Sequence, residues 1–492
     1  MTVYLVGAGP GDPGLLTVRG AELLAAADVV VHDRLVDPRV LAAVPGTARL
    51  IDVGKRAGDS AVSQEEVNDL LVELGGGPGV VVRLKGGDPY VLGRGGEEAA
   101  ALEAGGVDYE VVPGVTAALA VPALAGVPLT MRGVSSGFTV LTAHDAGAPS
   151  VGVDWELAAR LPWSLVLLMA ASSSAEVAGR LLGAGRDPAT PVLVVESGTL
   201  PAQRARRTSL SDLATMQIRS PATIVVGEVA RLGLWSREEL PLSGWRVVVT
   251  RPAGQEGGLA DLLSAAGAMP LLLPTVEVVA PPDGGAALRE AAGRLGTFDW
   301  LVLTSANGVE RLFRELRDAR AVGSAKVAAI GPATAETLRR HGVVADLVPE
   351  RFVGEALVGA FAALGPAARG NGRVLLARAA EARDVVPTGL AALGYEVEVV
   401  EAYATRTAEL VAGAWDGARD ADAVTFTSPS TLAGYLELAG GQPVPGVVVT
   451  IGPVTTAAAR RSGIRVDAEA SEHTAAGLVA ALAGIAAARR RP

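Results

Sequence analysis

The chain has 492 residues, 49% of them hydrophobic, and its 53 acidic and 43 basic residues give a formal net charge of −10. This length predicts several lobes instead of one core, and the acidic balance argues against general binding to nucleic acids or anionic membranes. The sequence contains no cysteine, which excludes disulfides and thiolate metal sites, and its four histidines lack ligand spacing, so we expect no metal. We predict a cytoplasmic protein, because the amino terminus runs straight into a strand pattern and no apolar segment could span a membrane.

The first half of the chain alternates strands rich in valine and leucine with alanine-rich helices, which predicts a mostly parallel sheet. Strand patterns begin near Val3, Asp28, Arg49, Val80 and Asp108. After Pro128, a second set begins at Gly137, Ser164, Pro191 and Ala222. We therefore predict an α/β fold with two lobes of similar size, at about residues 1–127 and 128–235.

The first glycine-rich stretch follows the first predicted strand and reads GAGPGDPGLLT over residues 7–17. Its opening suggests a dinucleotide-binding turn, but the third glycine of that motif falls on Asp12. Pro10 and Pro13 also interrupt the loop that would hold the phosphates. The residues therefore disfavour a Rossmann-type dinucleotide site.

The second glycine-rich stretch, residues 80–98, is the one around which the first half is organised. A β-branched run ends at Gly86 and Gly87, where the backbone comes close to another group that we interpret as a ligand. Asp88 then offers a carboxylate that can accept hydrogen bonds. The loop around Arg94 leads into an acidic helix start.

Together, residues 7–17 and the GGDPYVLGRGGEE segment at 86–98 resemble the paired signatures of the tetrapyrrole methylases, specifically the uroporphyrinogen-III C-methyltransferases. The resemblance covers residues 1 to about 235. It implies a two-lobed methylase fold and S-adenosylmethionine as methyl donor, bound between the lobes. The positions that match the family's donor-binding residues are Pro10, Gly86, Gly87, Asp88, Val91, Thr116, Ala117, Met169 and Gly198. By itself, Met169 is more typical of a core residue that ends an apolar strand.

Methylation of a pyrrole carbon requires a base that removes the proton from the methylated carbon. Asp33 follows a valine-rich strand and Lys55 follows the next one, so both are predicted at strand ends, where α/β sites form. The residues alone favour a turn-capping aspartate and a surface lysine. The family resemblance implies a proton acceptor at Asp33 and a proton donor at Lys55.

The implied substrate, uroporphyrinogen III, is a polycarboxylate, so arginines could bind it through bidentate pairing. The candidates are Arg34, Arg56, Arg94 and Arg132, each of which is also compatible with a solvated surface position. The family usually has a histidine before the last of these arginines, where this chain has Met131.

Residues 236–243 contain turn-forming and charged residues and show little helical or strand periodicity. We therefore predict a linker there, between domains at 1–235 and 244–492. The second half then contains an internal duplication, in which three echoes follow one another in the same order. Arg246–Arg251 is echoed by Arg373–Arg378, Asp299–Ser305 by Asp422–Ser428, and Ile330–Thr334 by Ile451–Thr455. We predict two similar lobes, in which strands deliver Thr-Ser or Gly-Pro to helix starts that favour anions.

This half resembles the uroporphyrinogen-III synthases over about residues 243–485, through its opening Thr-Arg-Pro, its Thr-Ser and Ile-Gly-Pro units and its Glu-Ala-Tyr stretch at 401–403. The resemblance implies two flavodoxin-like parallel-sheet lobes, one split around the other. Lobe one is expected at about 244–274 plus 404–485, and lobe two at about 275–403. Hydroxymethylbilane is the implied substrate, with no cofactor.

Tyr403 is our candidate for assisting departure of the substrate hydroxyl, because a phenol near the predicted hinge can donate a proton. A hinge-packing aromatic is the equal alternative. Carboxylate binding is predicted for Arg251, Thr304, Ser305, Arg378, Thr427, Ser428 and Thr455. Each hydroxyl is individually more typical of a helix cap.

We therefore predict a bifunctional enzyme that cyclises hydroxymethylbilane to uroporphyrinogen III and methylates this product twice, to precorrin-2, toward sirohaem or cobalamin. Its expected partners are these small molecules, without nucleic acid or membrane, and the methylase resemblance implies a homodimer through the first half. Two alternatives stay open. The first half could methylate a later corrinoid intermediate, and the second half could be a non-catalytic sensor of tetrapyrroles or other anions.

Overall fold

The structure is a computed structural model that describes residues 2–41, 43–54, 62–143, 152–252, 255, 257–365, 372–410 and 415–490. Lys55 and Arg56, two of the predicted site residues, lie outside these ranges. The chain divides into two compact units, the first ending at Gly244 and the second beginning at Trp245. Within the described ranges, no helix has the length and apolar character needed to cross a membrane.

Lobe 1, the first half of the first unit, is a five-stranded parallel sheet in the order β3-β2-β4-β1-β5. Its strands are β1 (Val3–Gly7), β2 (Val29–His32), β3 (Arg49–Asp52), β4 (Val81–Lys85) and β5 (Tyr109–Val112). Its helices are α1 (Val18–Ala25), α2 (Pro38–Leu41), α3 (Gln64–Gly75), α4 (Gly95–Ala104) and α5 (Ala117–Leu124). All five strands begin within one residue of their predicted starts. The three central strands, β1, β2 and β4, are largely buried and read as continuous apolar runs, whereas the edge strands β3 and β5 are more exposed.

Lobe 2, the second half of the first unit, is a mixed sheet in the order β6-β7-β10-β8-β9. Its strands are β6 (Phe138–Thr142), β7 (Ser164–Leu168), β8 (Pro191–Glu196), β9 (Arg204–Ser209) and β10 (Ala222–Val226), with helices α6 (Trp155–Arg160), α7 (Ser174–Gly183) and α8 (Leu210–Leu213). The expectation of a mostly parallel sheet is wrong here, since only β6 and β7 pair in parallel. Strand β9 was missed because it is rich in arginine, as an exposed edge strand can be.

The predicted linker, residues 236–243, packs against the first unit. It contains a 3-10 turn, Arg237–Glu239, that begins at a capping box formed by Ser236 and Glu239. Arg237 Nη1 donates to Asp12 Oδ2 at 2.6 Å, and Glu238 Oε1 accepts from the Ala205 backbone at 2.6 Å. These hydrogen bonds fix the segment on both lobes of the first unit.

The second unit contains ten strands and ten helices within the described ranges. Its strands are β11 (Arg246–Val249), β12 (Met269–Leu272), β13 (Val276–Val279), β14 (Trp300–Leu303), β15 (Lys326–Ala329), β16 (Arg373–Ala379), β17 (Glu396–Thr407), β18 (Ala423–Phe426), β19 (Val447–Thr450) and β20 (Ala468–Glu469). Its helices are α9 (Gly257–Ala265), α10 (Ala286–Ala292), α11 (Ala306–Glu315), α12 (Pro332–Arg340), α13 (Gly354–Ala363), α14 (Val385–Ala392), α15 (Asp416–Arg419), α16 (Pro429–Ala439), α17 (Pro453–Arg461) and α18 (Ala475–Arg490).

These strands form two sheets, which define lobes 3 and 4. Lobe 3 has the all-parallel order β12-β11-β18-β19-β20, and lobe 4 has the order β13-β17-β16-β14-β15, parallel except for β13. The order of lobe 3 is that of flavodoxin-like folds, in which the second strand of the sheet lies outside the first. The predicted fold class, two-lobed α/β units with parallel-sheet lobes in the second, is confirmed.

The duplicated sequence segments are exchanged between lobes 3 and 4. The first repeat places β11 and β12 in lobe 3 but β14 and β15 in lobe 4, and the second repeat places β16 and β17 in lobe 4 but β18 and β19 in lobe 3. Equivalent strands thus occupy equivalent positions, and each lobe contains half of each repeat.

The lobes are joined by an antiparallel ladder between β13 and the second part of β17, which runs on past Tyr403. Val278 pairs with Thr405 in this ladder. The sequence interval between those two residues equals the interval between Arg246 and Arg373, the first residues of the duplicated strands. A pseudo-two-fold axis therefore passes through the Val278–Thr405 pair and relates lobe 3 to lobe 4.

Candidate active sites

Three glycines bring the carboxyl ends of the lobe 1 strands into backbone contact. A Cβ atom on Gly7 would lie 2.5 Å from Gly114 Cα, and one on Gly114 would lie 2.2 Å from the Gly87 carbonyl oxygen. Gly9 and Gly87 exchange backbone hydrogen bonds of 3.1 and 2.7 Å. Only glycine permits approaches this close. The loops after β1, β4 and β5 therefore form one rigid surface, which we call the glycine surface.

The carboxylate of Asp88 holds this surface together. Its Oδ1 accepts from the Tyr90 backbone and its Oδ2 accepts from the Gly114 backbone, both at 2.9 Å. A Cβ on Gly87 would lie 3.8 Å from Thr116 Cα, at the start of α5, where the Thr116 hydroxyl caps the helix. The structure thus brings together the predicted residues Gly87, Asp88 and Thr116 with their neighbours Gly86 and Ala117, while Pro10 follows the Gly9 bridge.

Strained backbone marks the same region. The non-glycine residues with positive φ among those described are Leu92, Arg94, Met169, Ser197 and Thr199. Arg94 and Met169 are themselves predicted substrate-binding and donor-binding positions, Leu92 follows Val91, and the other two flank Gly198. Such conformations cost about 1–3 kcal/mol each and persist where the surroundings impose them, often at functional sites.

Met169 is therefore not the ordinary core residue that its sequence context suggests. It directly follows strand β7 with φ of 55°, and 49% of its surface is exposed. Val91, another predicted donor-binding residue, is 37% exposed. Apolar side chains held at the surface in this way can form the walls of a ligand site.

Lobe 2 reaches the glycine surface through the loop after β8. The Asp12 backbone donates to Thr199 Oγ1 at 3.3 Å, and a Cβ on Gly11 would lie 2.7 Å from Leu200 Cδ2. A Cβ on Gly198 would lie 2.4 Å from Val121 of α5. The predicted residues Pro10 and Gly198 are thereby brought to adjoining loops of the two lobes.

Asp33, the predicted proton acceptor, lies just beyond β2 with its side chain 34% exposed. Its Oδ1 accepts from Arg83 Nη2 at 2.5 Å. Of the predicted arginines in this unit, Arg34 and Arg132 are exposed, and Arg94 pairs with Glu97 at 2.6 Å. That contact raises the pKa of Arg94 and lowers that of Glu97.

A buried charge cluster behind Asp33 was missed by the sequence reasoning. It consists of Arg83, Lys85 and Glu98, of which Glu98 is fully buried and the two cations are 2–3% exposed. Glu98 Oε1 lies 3.0 Å from Arg83 Nη2 and 2.8 Å from Lys85 Nζ. The signal was present in the sequence, since two cations spaced two residues apart in a valine-rich strand face the same side.

In the second unit, Tyr403 lies on β17 close to the ladder and is 7% exposed. Its hydroxyl donates to Ser305 Oγ at 3.0 Å. Burial raises the pKa of Tyr403, while its hydrogen bonds with Ser305 and Asn307 act in the opposite direction. Asn307 Oδ1 in turn accepts from Gln255 Nε2 at 2.8 Å, which links lobe 4 to lobe 3 beside the phenol.

The predicted hydroxyl residues stand at equivalent helix starts in the two lobes. Ser305 caps α11 by accepting from the Gly308 backbone at 3.0 Å, and Ser428 caps α16 by accepting from the Thr431 backbone at 3.1 Å. Thr304 and Thr427 precede these caps, whereas Thr455 is buried in the first turn of α17. The helix-cap interpretation therefore describes both serines, and their roles toward a ligand stay predictions.

The two predicted arginines of this unit have partners within the chain. Arg378 donates to Asp384 Oδ1 at 2.7 Å and to the Arg383 carbonyl at 3.1 Å, while its Nε is buried without a hydrogen-bond partner. Arg251 also makes a contact of its own. Carboxylate binding by Arg378 would require it to exchange or share its Asp384 partner.

A cavity of about 660 Å³ lies between lobes 3 and 4, at the two Gly-Pro helix starts. Its lining includes Pro332 and Phe352 from lobe 4, and Pro453 and His473 from lobe 3. Phe352 and His473 meet edge to face, with ring centroids 5.9 Å apart. The number of residues between Phe352 and His473 in the sequence equals the number between the two Gly-Pro units. The two rings therefore stand at equivalent positions of the duplicated segments and meet near the pseudo-two-fold axis.

Comparison with known proteins follows the division into two units. Residues 2–214 match the family model for tetrapyrrole (corrin/porphyrin) methylases, and residues 258–480 match that for uroporphyrinogen-III synthase HemD. The porphyrin biosynthesis protein HemD of Ruminiclostridium josui is 37% identical over 486 residues, which cover 94% of each chain. This chain belongs to the tetrapyrrole methylase and uroporphyrinogen-III synthase families. Both resemblances predicted from its motifs are confirmed.

Two further relatives match the methylase unit. The S-adenosyl-L-methionine-dependent uroporphyrinogen III methyltransferase of Methanosarcina barkeri is 44% identical over 47% of this chain and 92% of its own length. A crystal structure of uroporphyrin-III C-methyl transferase from Thermus thermophilus, complexed with S-adenyl homocysteine, covers 47% of this chain and 94% of its own, with 43% identity and a TM-score of 0.42.

Proposed function

We propose that this chain is a bifunctional enzyme of tetrapyrrole biosynthesis. Its synthase unit would cyclise hydroxymethylbilane to uroporphyrinogen III, and its methylase unit would methylate that product twice to precorrin-2. The match to the Ruminiclostridium josui protein over nearly the whole of both chains carries the proposal. It is supported by the two family matches, because the compound named for the synthase family is the substrate named for the Methanosarcina barkeri methyltransferase.

The methyl donor would be S-adenosylmethionine, which supplies the sulfonium methyl group. The glycine surface fits such a ligand, because Gly86 and Gly87 leave space above the backbone and apolar Val91 and Met169 are held at the surface. Pro10 and Gly198 stand on the adjoining loops, and Thr116 and Ala117 stand at the start of α5. Asp88 would act chiefly by fixing these loops, since both of its oxygens already accept from the chain.

For methylation, we assign to Asp33 the removal of the proton from the methylated pyrrole carbon. Its partly exposed carboxylate stands at the carboxyl end of β2, on the same sheet edge as the glycine surface. Lys55 is the predicted proton donor and lies beyond the described residues. The arginines Arg34 and Arg132 are exposed, as binding to substrate carboxylates requires.

For cyclisation, we assign to Tyr403 the donation of a proton to the hydroxyl group that leaves hydroxymethylbilane as water. A phenol is protonated at neutral pH, burial raises the pKa of Tyr403 further, and Ser305 holds the hydroxyl in place. The capped helix starts around it would bind substrate carboxylates through hydroxyl and backbone donors. Folding the flexible substrate between lobes 3 and 4 would supply most of the rate enhancement.

The test is to incubate the purified full chain with hydroxymethylbilane, with and without S-adenosylmethionine. We expect precorrin-2 when the donor is present and uroporphyrinogen III when it is omitted. Uroporphyrinogen I in both reactions would contradict the synthase assignment, because that isomer forms when the last ring is not inverted. Unmethylated uroporphyrinogen III in both would contradict the methylase assignment.

The two alternatives can be separated from this proposal. A panel of later corrinoid intermediates, offered with S-adenosylmethionine, would identify a methylase that acts further along the route. A second unit that binds uroporphyrinogen III without accelerating ring closure would be a sensor.

We also propose a homodimer formed through the methylase unit and a cytoplasmic location, both of which stay predictions from the sequence. Light scattering of the full chain, compared with the same chain carrying charge reversals on the methylase surface, would test the dimer. A mass equal to one chain would contradict it.

A further inference from the structure

The carboxylate of Asp33 is not held by solvent-exposed groups but by a guanidinium that is itself buried. Arg83 Nη2 donates to Asp33 Oδ1 at 2.5 Å, while Arg83 Nε donates to Glu98 Oε1 at 3.1 Å. The remaining nitrogen, Nη1, donates to the backbone carbonyls of Leu84 at 3.3 Å and Val31 at 3.5 Å. Every side of the planar group therefore has a partner, and the position of the guanidinium is fixed.

Glu98 provides the counter-charge that makes this arrangement possible. It is fully buried at the start of α4. Its Oε1 accepts hydrogen bonds from Arg83, from Lys85 and, at 3.4 Å, from Gln64 Nε2. Its Oε2 is buried without any hydrogen-bond partner. A single carboxylate oxygen thus balances two cations, which leaves part of the Arg83 charge directed at Asp33.

Lys85 connects the cluster to the glycine surface. Its amine is buried beneath the loop after Asp88, so that a Cβ on Gly93 would lie 3.5 Å from Lys85 Cε. Burial, followed by repulsion from Arg83, lowers the pKa of this amine, and Glu98 opposes that effect. The Lys85 carbonyl accepts from the Ala8 backbone at 2.7 Å, next to the Gly9–Gly87 bridge.

Stability alone does not explain why charged residues occupy these positions. Buried ion pairs often contribute no more than well-packed apolar side chains of similar volume, because the charges lose their hydration. On the same face of the sheet, Val81 in β4 and the two residues that pair with Arg83, Leu5 and Val31, are buried and apolar, so this environment suits such side chains. Charges at Arg83 and Lys85 with a buried partner are therefore better explained by the one partly exposed group that they hold, Asp33.

We propose that Arg83 is a positioning residue for Asp33 in the methylation reaction, and that Glu98 and Lys85 are its buried support. The inference rests on the proposed function of the methylase unit. Arg83 holds the Asp33 carboxylate in one orientation against the sheet edge, so that the base meets the substrate carbon without first reorganising. Glu98 fixes the guanidinium, and Lys85 compensates the Glu98 charge.

The test compares Arg83→Gln, Arg83→Lys and Glu98→Gln with Arg180→Gln, which removes an exposed arginine paired with Glu176 in the same unit. For each full-length variant, kcat and KM for methylation of uroporphyrinogen III are measured together with the affinity for S-adenosylhomocysteine. Cyclisation of hydroxymethylbilane by the same preparation serves as the reference for active chain, and thermal unfolding identifies variants that are unfolded at the assay temperature.

We expect Arg83→Gln to lower kcat about 100-fold with little change in KM or in S-adenosylhomocysteine affinity, since misplacing a reacting group has effects of this size. Arg83→Lys keeps the charge but not the planar fork, so about tenfold of that loss should be recovered. Glu98→Gln should lower kcat about tenfold and add little to Arg83→Gln, because both changes act through one contact. Arg180→Gln should match the parent chain.

Parent-level kcat in folded Arg83→Gln would overturn the inference, and so would a matching loss of S-adenosylhomocysteine affinity, which would indicate general damage to the unit. If Arg83→Gln does not fold, Arg83→Lys decides: a reduced kcat with unchanged affinity supports positioning, and a parent-level kcat overturns it. A parent chain that binds the donor but methylates no tetrapyrrole would instead refute the proposed function.

Discussion

The candidate sites of the two units differ in the side chains and backbone conformations that surround them. Among the described residues, every buried charged side chain and every non-glycine residue with positive φ lies in the methylase unit. The buried polar groups of the synthase unit include threonine hydroxyls and the phenols of Tyr395, Tyr403 and Tyr435. A methyl transfer must align two separate reactants, a task to which strained loops with fixed charges are suited. Ring closure folds one flexible chain, for which neutral hydroxyls and helix starts are sufficient.

The sharpest way to break this comparison is Asp33→Asn. The amide keeps the size of the side chain but cannot accept the proton, so methylation should fall by at least about 100-fold. Cyclisation of hydroxymethylbilane by the same preparation should be unchanged, because the synthase unit has its own site. Asp69→Asn, at an exposed position of α3, is the matched control. Loss of both activities in Asp33→Asn would indicate misfolding or tight coupling of the units.

The role of the glycine surface can be tested with Gly114→Ala. The new methyl group would meet the Gly87 carbonyl oxygen at 2.2 Å, so the loops must separate, and affinity for S-adenosylhomocysteine should fall about tenfold or more. Gly96→Ala is the control, since a Cβ there meets nothing within 4 Å and the residue lies in α4. Isothermal titration of both variants measures the difference. Equal affinities would show that the close approach is not needed for binding.

The synthase side of the comparison is tested by Tyr403→Phe. The ring that packs at the ladder is retained and only the hydroxyl is lost, so cyclisation should slow about five- to tenfold if the phenol donates a proton. Methylation of added uroporphyrinogen III should not change. The control, Tyr395→Phe, removes a phenol from the same lobe, where the ring packs edge to face on Phe361. An unchanged cyclisation rate would assign Tyr403 to hinge packing.

The smallest expected effect concerns pH and a buried phenol of lobe 3. Burial raises the pKa of Tyr435 to about 12, so the folded protein keeps a proton that the unfolded chain loses above pH 10. The unfolded state therefore binds fewer protons in this range, and stability should fall by about 1.4 kcal/mol as the pH rises from 9 to 11. Denaturant unfolding of Tyr435→Phe beside the parent chain measures this difference. Equal pH dependence of the two would contradict it.

Much of the fold and part of the site follow from the sequence for identifiable reasons. Apolar runs place the central strands of lobe 1, β1, β2 and β4, within one residue, because buried parallel strands are apolar along their whole length. The duplicated segments reveal lobes 3 and 4, although their exchange becomes visible only when β11 pairs with β18. Strand β9 was hidden by its arginines, because exposed edge positions carry no apolar signal.

Some site residues could be predicted from the sequence and others could not. Glycines in loops indicate close backbone contacts, so Gly86 and Gly87 could be predicted as site residues from the sequence. Which groups they contact depends on the folded chain. The Arg83–Glu98 contact joins residues on neighbouring elements, and a charged residue in a sequence gives no sign that it is buried. The left-handed backbone of Met169 is likewise set by its surroundings and has no sequence signature.

The exchange of strands between lobes 3 and 4 bears on how this protein is synthesised. As the polypeptide leaves the ribosome, β11 and β12 are the first strands of this unit to emerge, yet the partner of Val247 on the other side is Ala423, which follows all the strands of lobe 4. Lobe 4 can complete its sheet at Thr407, but β11 keeps an unpaired apolar edge until β18 appears. Nascent chains interrupted after lobe 4 should therefore be prone to aggregation, and a stop codon placed before β18 would leave the strands of the unit that were made first without their partner.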